Sequence, residues 1–488
     1  MQRSEQVTRG AWMGLLVQAA DKILPVVIVL YLARAIDPES FGVYSFLVAY
    51  LALFQVAVEY SLDAVLVRVL SQQSEPSPAT LHAGLGLKLL MSLAAAAVAT
   101  LCVGPLSGGR VPLDLAACAS LGLLTGLGGA YRSWFRSNLE IPPVLALASA
   151  RALLLAVGVV VVVQAGAGLR AVFLVMAAAN LVVFAGVALA VSRELKPRFV
   201  FDREQWGLLL RGAVPLFFNG FAIMLGLKAG QVLLLSMRGP VETGLLGAAS
   251  RVAEAFSLLP EALMITVYPL MASLHIKRDG MGGQPADTRL ADTRLAETVE
   301  KSTRYLLLAI AVPVTVCMVA GDLIMGLLFG AGYAEAGPAL SLLAVMALLS
   351  ATGTVVTYLL VSVHAEKTLY RNTMVFALLN VVLSYFLITR AGYMGAAVAM
   401  IASSAMSQVS LALLPPTRAY TRLCLAAALR PALAVACGVA AGLLAGYGSL
   451  AAVAWSVGAC LLALLALRVL TAEDIAFIRS SLGWGQKS

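Results

Sequence analysis

The sequence is dominated by long apolar runs that recur from about residue 11 to about residue 470. A run of about 20 residues lets an α-helix cross a hydrocarbon core of roughly 30 Å. Lipid offers no hydrogen-bond partners, so backbone at that depth must pair with itself, as it does in a helix. The composition agrees, because 61% hydrophobic and 12% charged residues lie outside the range of water-soluble proteins. The pattern predicts an all-α polytopic membrane protein.

Fourteen transmembrane helices are predicted from these runs. The expected spans are residues 11–35, 42–67, 81–104, 112–131, 142–165, 170–192, 211–236, 243–272, 304–329, 337–362, 370–389, 393–414, 424–446 and 449–470. The first run contains Asp21 and Lys22 and is longer than the core of a signal peptide, so we expect it to be retained. Lys and Arg concentrate in alternate connections, the distribution that marks the cytoplasmic side. We therefore expect both termini in the cytoplasm.

An internal repeat suggests two lobes. A shift of 202 positions matches Pro38 with Pro240, Gly42 with Gly244, and Glu59 with Glu261. Two explanations stay open, chance and the duplication of a six-helix unit. Duplication predicts an N-lobe at 1–192, a cytoplasmic linker at 193–210, a C-lobe at 211–414 with a cytoplasmic loop at 273–303, and two appended helices with a tail at 415–488. Two six-helix lobes around a central cavity are a recurring transporter design.

Several functional classes are disfavoured by residue type and position. The net charge of +9 lies mostly in connections between spans, so it reports orientation and does not indicate a nucleic-acid partner. The six cysteines lack metal or redox spacing, and we interpret them as packing residues; no metal site or cofactor is expected. A membrane-bound polymerase, ligase or glycosyltransferase would need clustered acids or histidines in a sizeable polar segment. The outer connections are short, so enzyme activity is not expected.

Charged residues inside the spans are the candidate functional residues. Each costs roughly 2.5 to 3.5 kcal/mol in the middle of a membrane helix, so such residues usually face a cavity. We assign the cations to binding of an anionic substrate; they are Lys22, Lys88, Arg151, Lys228 and Arg251. Snorkelling to the nearer interface, or pairing with a local acid, is the alternative for each of them.

The acids inside the spans are Asp21, Glu59, Asp63, Glu254, Glu261 and Asp322. Glu59 and Asp63 stand four residues apart, a spacing that places two carboxylates on one helical face, where they could share a proton or hold a cation. Glu254 and Glu261, seven residues apart, predict a second acidic stripe, and Glu254 also has the spacing to pair with Arg251. Two roles stay open for these acids, coupling to inward Na⁺ or H⁺, and neutralisation of neighbouring cations.

Three stretches resemble the polysaccharide flippases, the Wzx-type branch of the multidrug/oligosaccharidyl-lipid/polysaccharide (MOP) exporter superfamily. LARAIDPESFGVYSF, at Leu32–Phe46, is similar to the family's first outer loop and second helix. LLFGAGYAEAGPALSLLA, at Leu327–Ala344, resembles its segment after the ninth helix. GYMGAAVAMIASS, at Gly392–Ser404, resembles the start of its twelfth helix. The resemblance covers essentially the whole chain and agrees with fourteen helices.

The resemblance implies alternating-access transfer of an undecaprenyl-diphosphate-linked oligosaccharide to the outer leaflet, for assembly of O-antigen, capsule or exopolysaccharide. It implies a multi-pass protein of the bacterial cytoplasmic (inner) membrane. Its partners would be the lipid-linked glycan, membrane lipid, and polysaccharide polymerase or export machinery. The alternative within the superfamily is a drug/cation antiporter, and buried lysines in both predicted lobes favour an anionic cargo instead.

Overall fold

The computed structural model describes residues 25–73, 77–138, 140–192, 195–280, 285–415, 417–467 and 469. Within these ranges all regular structure is helical. The helices are α1 (Pro25–Ala35), α2 (Pro38–Gln72), α3 (Pro78–Ser107), α4 (Leu113–Ser137), α5 (Ile141–Gln164), α6 (Gly168–Ala190), α7 (Arg203–Arg238), α8 (Pro240–Ala255), α9 (Leu258–Gly280), α10 (Pro285–Val319), α11 (Gly321–Phe329), α12 (Gly337–Ser362), α13 (Glu366–Leu413), α14 (Arg418–Leu444) and α15 (Leu450–Ala466).

The predicted all-α polytopic fold is confirmed. Ten helical segments of the described chain are long and apolar enough to cross a membrane, or eleven with the bent run from Pro240 to Ser273. Each predicted span falls on a helix. α8 with α9, and α10 with α11, each correspond to one predicted span. α13 corresponds to two, because Gly392 interrupts it with a non-helical backbone at φ 53°. The first span is described from Pro25 onward, so Asp21 and Lys22 lie outside the described residues.

Helix starts follow from residues that the sequence places just outside each span. The Asp37 carboxylate accepts a hydrogen bond from the Ser40 N–H at 2.8 Å, and Pro38 occupies the first turn. Ser77 caps α3 in the same way, and Asp202 caps α7. A capping oxygen satisfies one of the N–H groups that the first turn leaves without a partner. These short polar motifs therefore set where the spans begin.

The described chain forms two compact units. The first comprises the part up to Ala248 together with Thr373–Ala399. Its core lies where α2, α3, α4 and α7 meet, and includes Leu66, Leu85 and Tyr131, all fully buried. Since lipid tails are as apolar as these side chains, van der Waals packing between the helices holds this core together. This core fixes α2, α3 and α4 against one another, and these three helices carry Glu59, Asp63, Lys88 and Arg132, which are described below.

The second unit comprises Ala249–Asn372 and the described residues from Met400 onward. Within it, α14 packs closely on α15 through Gly438 and Gly442. A Cβ atom at Gly438 would lie 2.8 Å from the Ser456 carbonyl oxygen, and one at Gly442 would lie 2.9 Å from the Ser456 Cβ. Small residues allow this close approach of two helices. The predicted lobe boundaries at 192 and 211 depend on the internal repeat being a duplication, and they stay a prediction.

Residues matched by the 202-residue shift contact each other inside the first unit. A Cβ at Gly42 would overlap the Pro240 carbonyl, and a Cβ at Gly244 would lie 3.2 Å from the Pro38 carbonyl oxygen. The starts of α2 and α8 thus cross through equivalent glycines, each facing the other's proline. A two-fold relation between duplicated elements would produce a reciprocal contact of this kind, and duplication itself stays a prediction.

Candidate functional site

The charged stretch of α2 coincides with a break in helical regularity. Val56–Tyr60 form a π-helical turn between the regular segments Pro38–Gln55 and Ser61–Gln72. Ser61 donates its hydroxyl hydrogen bond to the Val56 carbonyl at 2.9 Å. Single π turns inside α-helices occur often at functional sites, and they free carbonyl oxygens from the regular hydrogen-bond ladder. Glu59 lies in this turn, and Asp63 follows it.

Lys88 of α3 is an internal counterion to Asp63. The side chain of Lys88 is 1% exposed, and its ammonium donates to the Asp63 carboxylate, whose side chain is 21% exposed. The same ammonium contacts the carbonyl oxygens of Gly126 at 3.1 Å and Val58 at 3.4 Å. A buried ammonium is tolerated only when paired and hydrogen-bonded, and both conditions hold here.

Gly129 makes room for this ion pair. A Cβ atom at Gly129 would lie 2.7 and 2.8 Å from the two Asp63 carboxylate oxygens and 2.9 Å from the Lys88 Nζ. A side chain at this position of α4 would require the ends of the Asp63 and Lys88 side chains to shift. The glycine therefore leaves the space that the pair occupies between α2, α3 and α4.

Glu59 has its own partners on α4. The Thr125 hydroxyl donates to the Glu59 carboxylate, and the Arg132 Nη2 lies 4.0 Å from the Glu59 Oε2. The side chains of Glu59 and Arg132 are 18% and 23% exposed. We call Glu59, Asp63, Lys88 and Arg132 the charge cluster. Its formal charges cancel, so Glu59 and Asp63 are placed where they neutralise neighbouring cations. A role of these acids in coupling to Na⁺ or H⁺ stays a prediction.

Arg151 and Lys228 lie at depth in their helices. Each stands ten positions from one end, Ile141 for α5 and Arg238 for α7. Ten residues of α-helix rise about 15 Å, half of a core of roughly 30 Å. Both side chains are half-buried. Their assignment to substrate binding is consistent with this depth and stays a prediction.

The remaining predicted residues lie in the second unit. Arg251 and Glu254 form the expected pair, with 3.1 Å between Nη1 and Oε2. Glu254 and Glu261 do not share one continuous helix, because α8 ends at Ala255 and α9 begins at Leu258. Pro260 lacks the N–H that would continue the helical ladder across this point. The expected acidic stripe is therefore interrupted.

Asp322 lies at the start of the short helix α11, where a carboxylate complements the helix dipole. It accepts a hydrogen bond from the Tyr447 hydroxyl at 3.2 Å. A Cβ at Gly337 would overlap the Asp322 carboxylate, so the acid packs directly on the backbone at the start of α12. These contacts give Asp322 a local structural role, and its predicted part in ion coupling stays a prediction.

Two parts of the site could not be identified from sequence. Arg132 directly follows the predicted span 112–131, so in the sequence it belongs to a positively charged connection; its contact with Glu59 depends on how α4 packs on α2. The carbonyl oxygens of Val58 and Gly126 carry no side-chain signal. In the described ranges, no group of three or more His, Cys, Asp or Glu side chains is arranged to hold a metal ion.

Comparison with known proteins gives one family. Residues 7–275, more than half of the chain, match the family described as polysaccharide biosynthesis protein (Polysacc_synt). No curated protein matches the chain significantly.

Solved structures of membrane transporters share the fold. The lipid II flippase MurJ, in an inward closed conformation, is 14% identical, with 94% of this chain and 99% of that chain covered at a TM-score of 0.64. An inward-facing multidrug resistance MATE family transporter of the MOP superfamily is 13% identical, with coverage of 84% and 95% and a TM-score of 0.58. A MOP superfamily transporter from Pyrococcus furiosus, described as having a reversed polarity of its binding pocket, is 12% identical, with coverage of 87% and 96% and a TM-score of 0.54. At these identities the likeness shows that the chain has the MOP transporter fold.

Proposed function

Because the chain belongs to the polysaccharide biosynthesis protein family, we propose that it is a flippase for an undecaprenyl-diphosphate-linked oligosaccharide. The cargo would move from the cytoplasmic to the outer leaflet of the bacterial inner membrane by alternating access. The observation that carries the proposal is the combination of this family with a transporter fold that MurJ, a lipid II flippase, shares over 94% of the chain. MurJ is described as a lipid II flippase. For this chain we propose a lipid-linked glycan as the cargo.

The chemistry of the cargo explains why charged residues stand inside the spans. A diphosphate cannot cross hydrocarbon unaided, since desolvating isolated charge costs on the order of tens of kcal/mol by Born estimates. A flippase must offer a wet path with cations at depth. Arg151, Lys228 and Arg251 are the residues that we assign to this path; Arg151 and Lys228 lie ten positions inside their helices, and Arg251 lies in the last turns of α8. The Lys88 ammonium pairs with Asp63, so we assign Lys88 to this path as a member of the charge cluster and not as a separate cation.

The membrane potential is the simplest driving force for such a transfer. An inside-negative potential favours outward movement of an anion by about 2.3 kcal/mol per charge for each 100 mV. Coupling to inward Na⁺ or H⁺ would add to this. With both termini in the cytoplasm, as the positive connections predict, the product would be delivered to polymerase or export machinery on the outer side.

Deletion of the gene tests the proposal. We expect loss of one surface polysaccharide, accumulation of its lipid-linked repeat unit on the cytoplasmic leaflet, and restoration of both by the wild-type gene. Leaflet location is measured by accessibility of the glycan to a membrane-impermeant glycosidase in right-side-out and inverted vesicles. An unchanged polysaccharide profile with increased sensitivity to cationic drugs would contradict the proposal and favour the antiporter.

A further inference from the structure

The Lys88 ammonium lies in a group of oxygen atoms of the kind that binds alkali-metal cations. The Asp63 carboxylate and the carbonyl oxygens of Val58 and Gly126 all face the Lys88 Nζ. Hard cations prefer oxygen ligands. In transporters, Na⁺ is coordinated typically by carbonyl oxygens at places where a helix is unwound.

Both carbonyls lie at such irregular places. Val58 belongs to the π turn Val56–Tyr60 of α2. Gly126 lies where the 3-10 turn Leu121–Thr125 passes into the regular helix Gly126–Ser137 of α4. Two independent departures from α-helical geometry therefore converge on one ammonium group.

A further oxygen at this place has no partner. Ser92 lies one turn along α3 from Lys88 and is fully buried. Its Oγ makes no hydrogen bond to the residues that the structure describes, and it lies 3.2 Å from where a Cβ of Gly126 would stand. A buried hydroxyl without a partner is destabilising, so a ligand that it could bind would relieve this cost. The Ser92 hydroxyl makes no hydrogen bond to the ammonium, and it lies near Gly126, whose carbonyl oxygen does.

We propose that Asp63 and the carbonyl oxygens of Val58 and Gly126 form a monovalent-cation site in which the Lys88 ammonium is the resident cation, with the unpartnered Ser92 hydroxyl close to Gly126. The site is thereby satisfied without Na⁺ in the wild-type protein. Removal of the ammonium by Lys88→Met leaves a half-buried carboxylate facing two carbonyl oxygens, and Na⁺ then binds in its place. This inference concerns the first unit alone and does not depend on which cargo the protein moves.

Thermal unfolding of the purified full-length protein tests the site. Melting temperatures (Tm) are measured in NaCl and in choline chloride at equal ionic strength. Wild type is expected to show the same Tm in both salts. Lys88→Met is expected to unfold at a lower temperature in choline chloride, and its Tm is expected to rise saturably with Na⁺, as ligand binding to the folded state requires.

Two variants separate site binding from general charge effects. Lys88→Met combined with Asp63→Asn lacks the carboxylate and should lose the Na⁺ response. Arg132→Met is the control, because it also removes one positive charge from the charge cluster. Its partner Glu59 accepts from the Thr125 hydroxyl, and in the described contacts no backbone carbonyl oxygens surround the Arg132 guanidinium as they surround the Lys88 ammonium. Its Tm should therefore be equal in the two salts.

The results that would overturn the proposal are distinct. One is a Lys88→Met protein whose Tm is the same in both salts. Another is a Lys88→Met protein that fails to fold even in NaCl while the double variant folds. A third is a saturable Na⁺ response of the wild-type protein that Asp63→Asn removes, since Lys88 would then not be the resident cation. Because the measurement is of stability, these outcomes leave the flippase proposal to its own test.

Discussion

Gly129 is the residue at which sterics and electrostatics meet in the charge cluster. We predict that Gly129→Ala lowers the stability of the protein, because the new methyl group would stand within 2.9 Å of Asp63 and Lys88. Overpacking of this kind costs typically about 1 to 3 kcal/mol. Gly128→Ala is the matched control, since a Cβ at Gly128 meets nothing within 4 Å. Both changes gain the same helix propensity, so an equal Tm for the two variants would contradict the assigned contact.

The partners of the charged residues mark the limit of sequence reasoning at this scale. Glu59, Asp63 and Lys88 could be identified because ionisable residues inside apolar spans are rare and costly. That Asp63 pairs with Lys88 could not, because 25 positions separate them and the contact depends on the packing of α2 on α3. The pair Arg251–Glu254 was predictable because both residues lie on the same helix, one turn apart.

Asp37 sets the start of α2, and its effect on the helix is predicted to depend on pH. The hydrogen bond from the Ser40 N–H lowers the pKa of Asp37 below its usual 3.8. The charged cap therefore stabilises the helix above pH 3.8, and this contribution is lost as the pH falls through the lower, folded-state pKa.

Asp37→Ala is expected to reduce stability at pH 7 by about 1 kcal/mol, the usual value of an N-cap. The charge part of this loss should be smaller in high salt, because Asp37 is exposed. The difference in Tm from wild type should shrink below pH 3.8, whereas Asp37→Asn should retain a cap at every pH. A difference between Asp37→Ala and wild type that does not change with pH would contradict the charged cap.

The break in α13 is held by two residues on either side of the α7–α8 connection, Arg238 at the end of α7 and Glu242 in the first turn of α8. Arg238 donates to the carbonyl oxygens of Ile388 at 3.1 Å and Thr389 at 2.6 Å, where the first half of α13 ends. Glu242 accepts from the Tyr393 N–H at 2.8 Å, where the second half begins. A cation thus lies at a helix C-terminus and an anion at a helix N-terminus, the arrangement that the helix dipoles favour.

We predict that Glu242→Ala destabilises the protein by about 1.5 to 3 kcal/mol, the range for a hydrogen bond to a charged group. Glu242→Gln should lose less, because its amide oxygen can still accept from Tyr393. The Tm values of the two variants, measured in the same detergent, check this order. Equal losses would show that the hydrogen bond does not hold the break.

At the level of helices, the hydropathy pattern predicted where the spans lie but did not predict where they are interrupted. Apolar length and turn residues place each span, because crossing a bilayer sets both. The interruptions after Ala255 and at Ala320 depend on local backbone preferences and tertiary contacts, and the runs continue through them. The π turn at Val56–Tyr60 likewise lies inside an unbroken apolar run.

For the whole molecule, the sequence predicted an all-α polytopic fold of the MOP type, and the structure and its likeness to MurJ and MATE transporters confirm it. Family membership adds polysaccharide biosynthesis. The identity of the glycan is not encoded in hydropathy or helix number, because these describe the passage through lipid and not the head group that is recognised. The central claim is therefore that this fold moves a lipid-linked glycan between leaflets.

Reconstitution into liposomes tests that claim most directly. The purified protein is incorporated with an undecaprenyl-diphosphate-linked oligosaccharide carrying a fluorescent label, and a membrane-impermeant quencher is added outside. In protein-free liposomes only the outer-leaflet half of the label is quenched. We predict that the protein makes the inner half accessible as well, and that a labelled phospholipid in the same liposomes stays half protected. Quenching of the glycan that stops at the protein-free level would contradict the account.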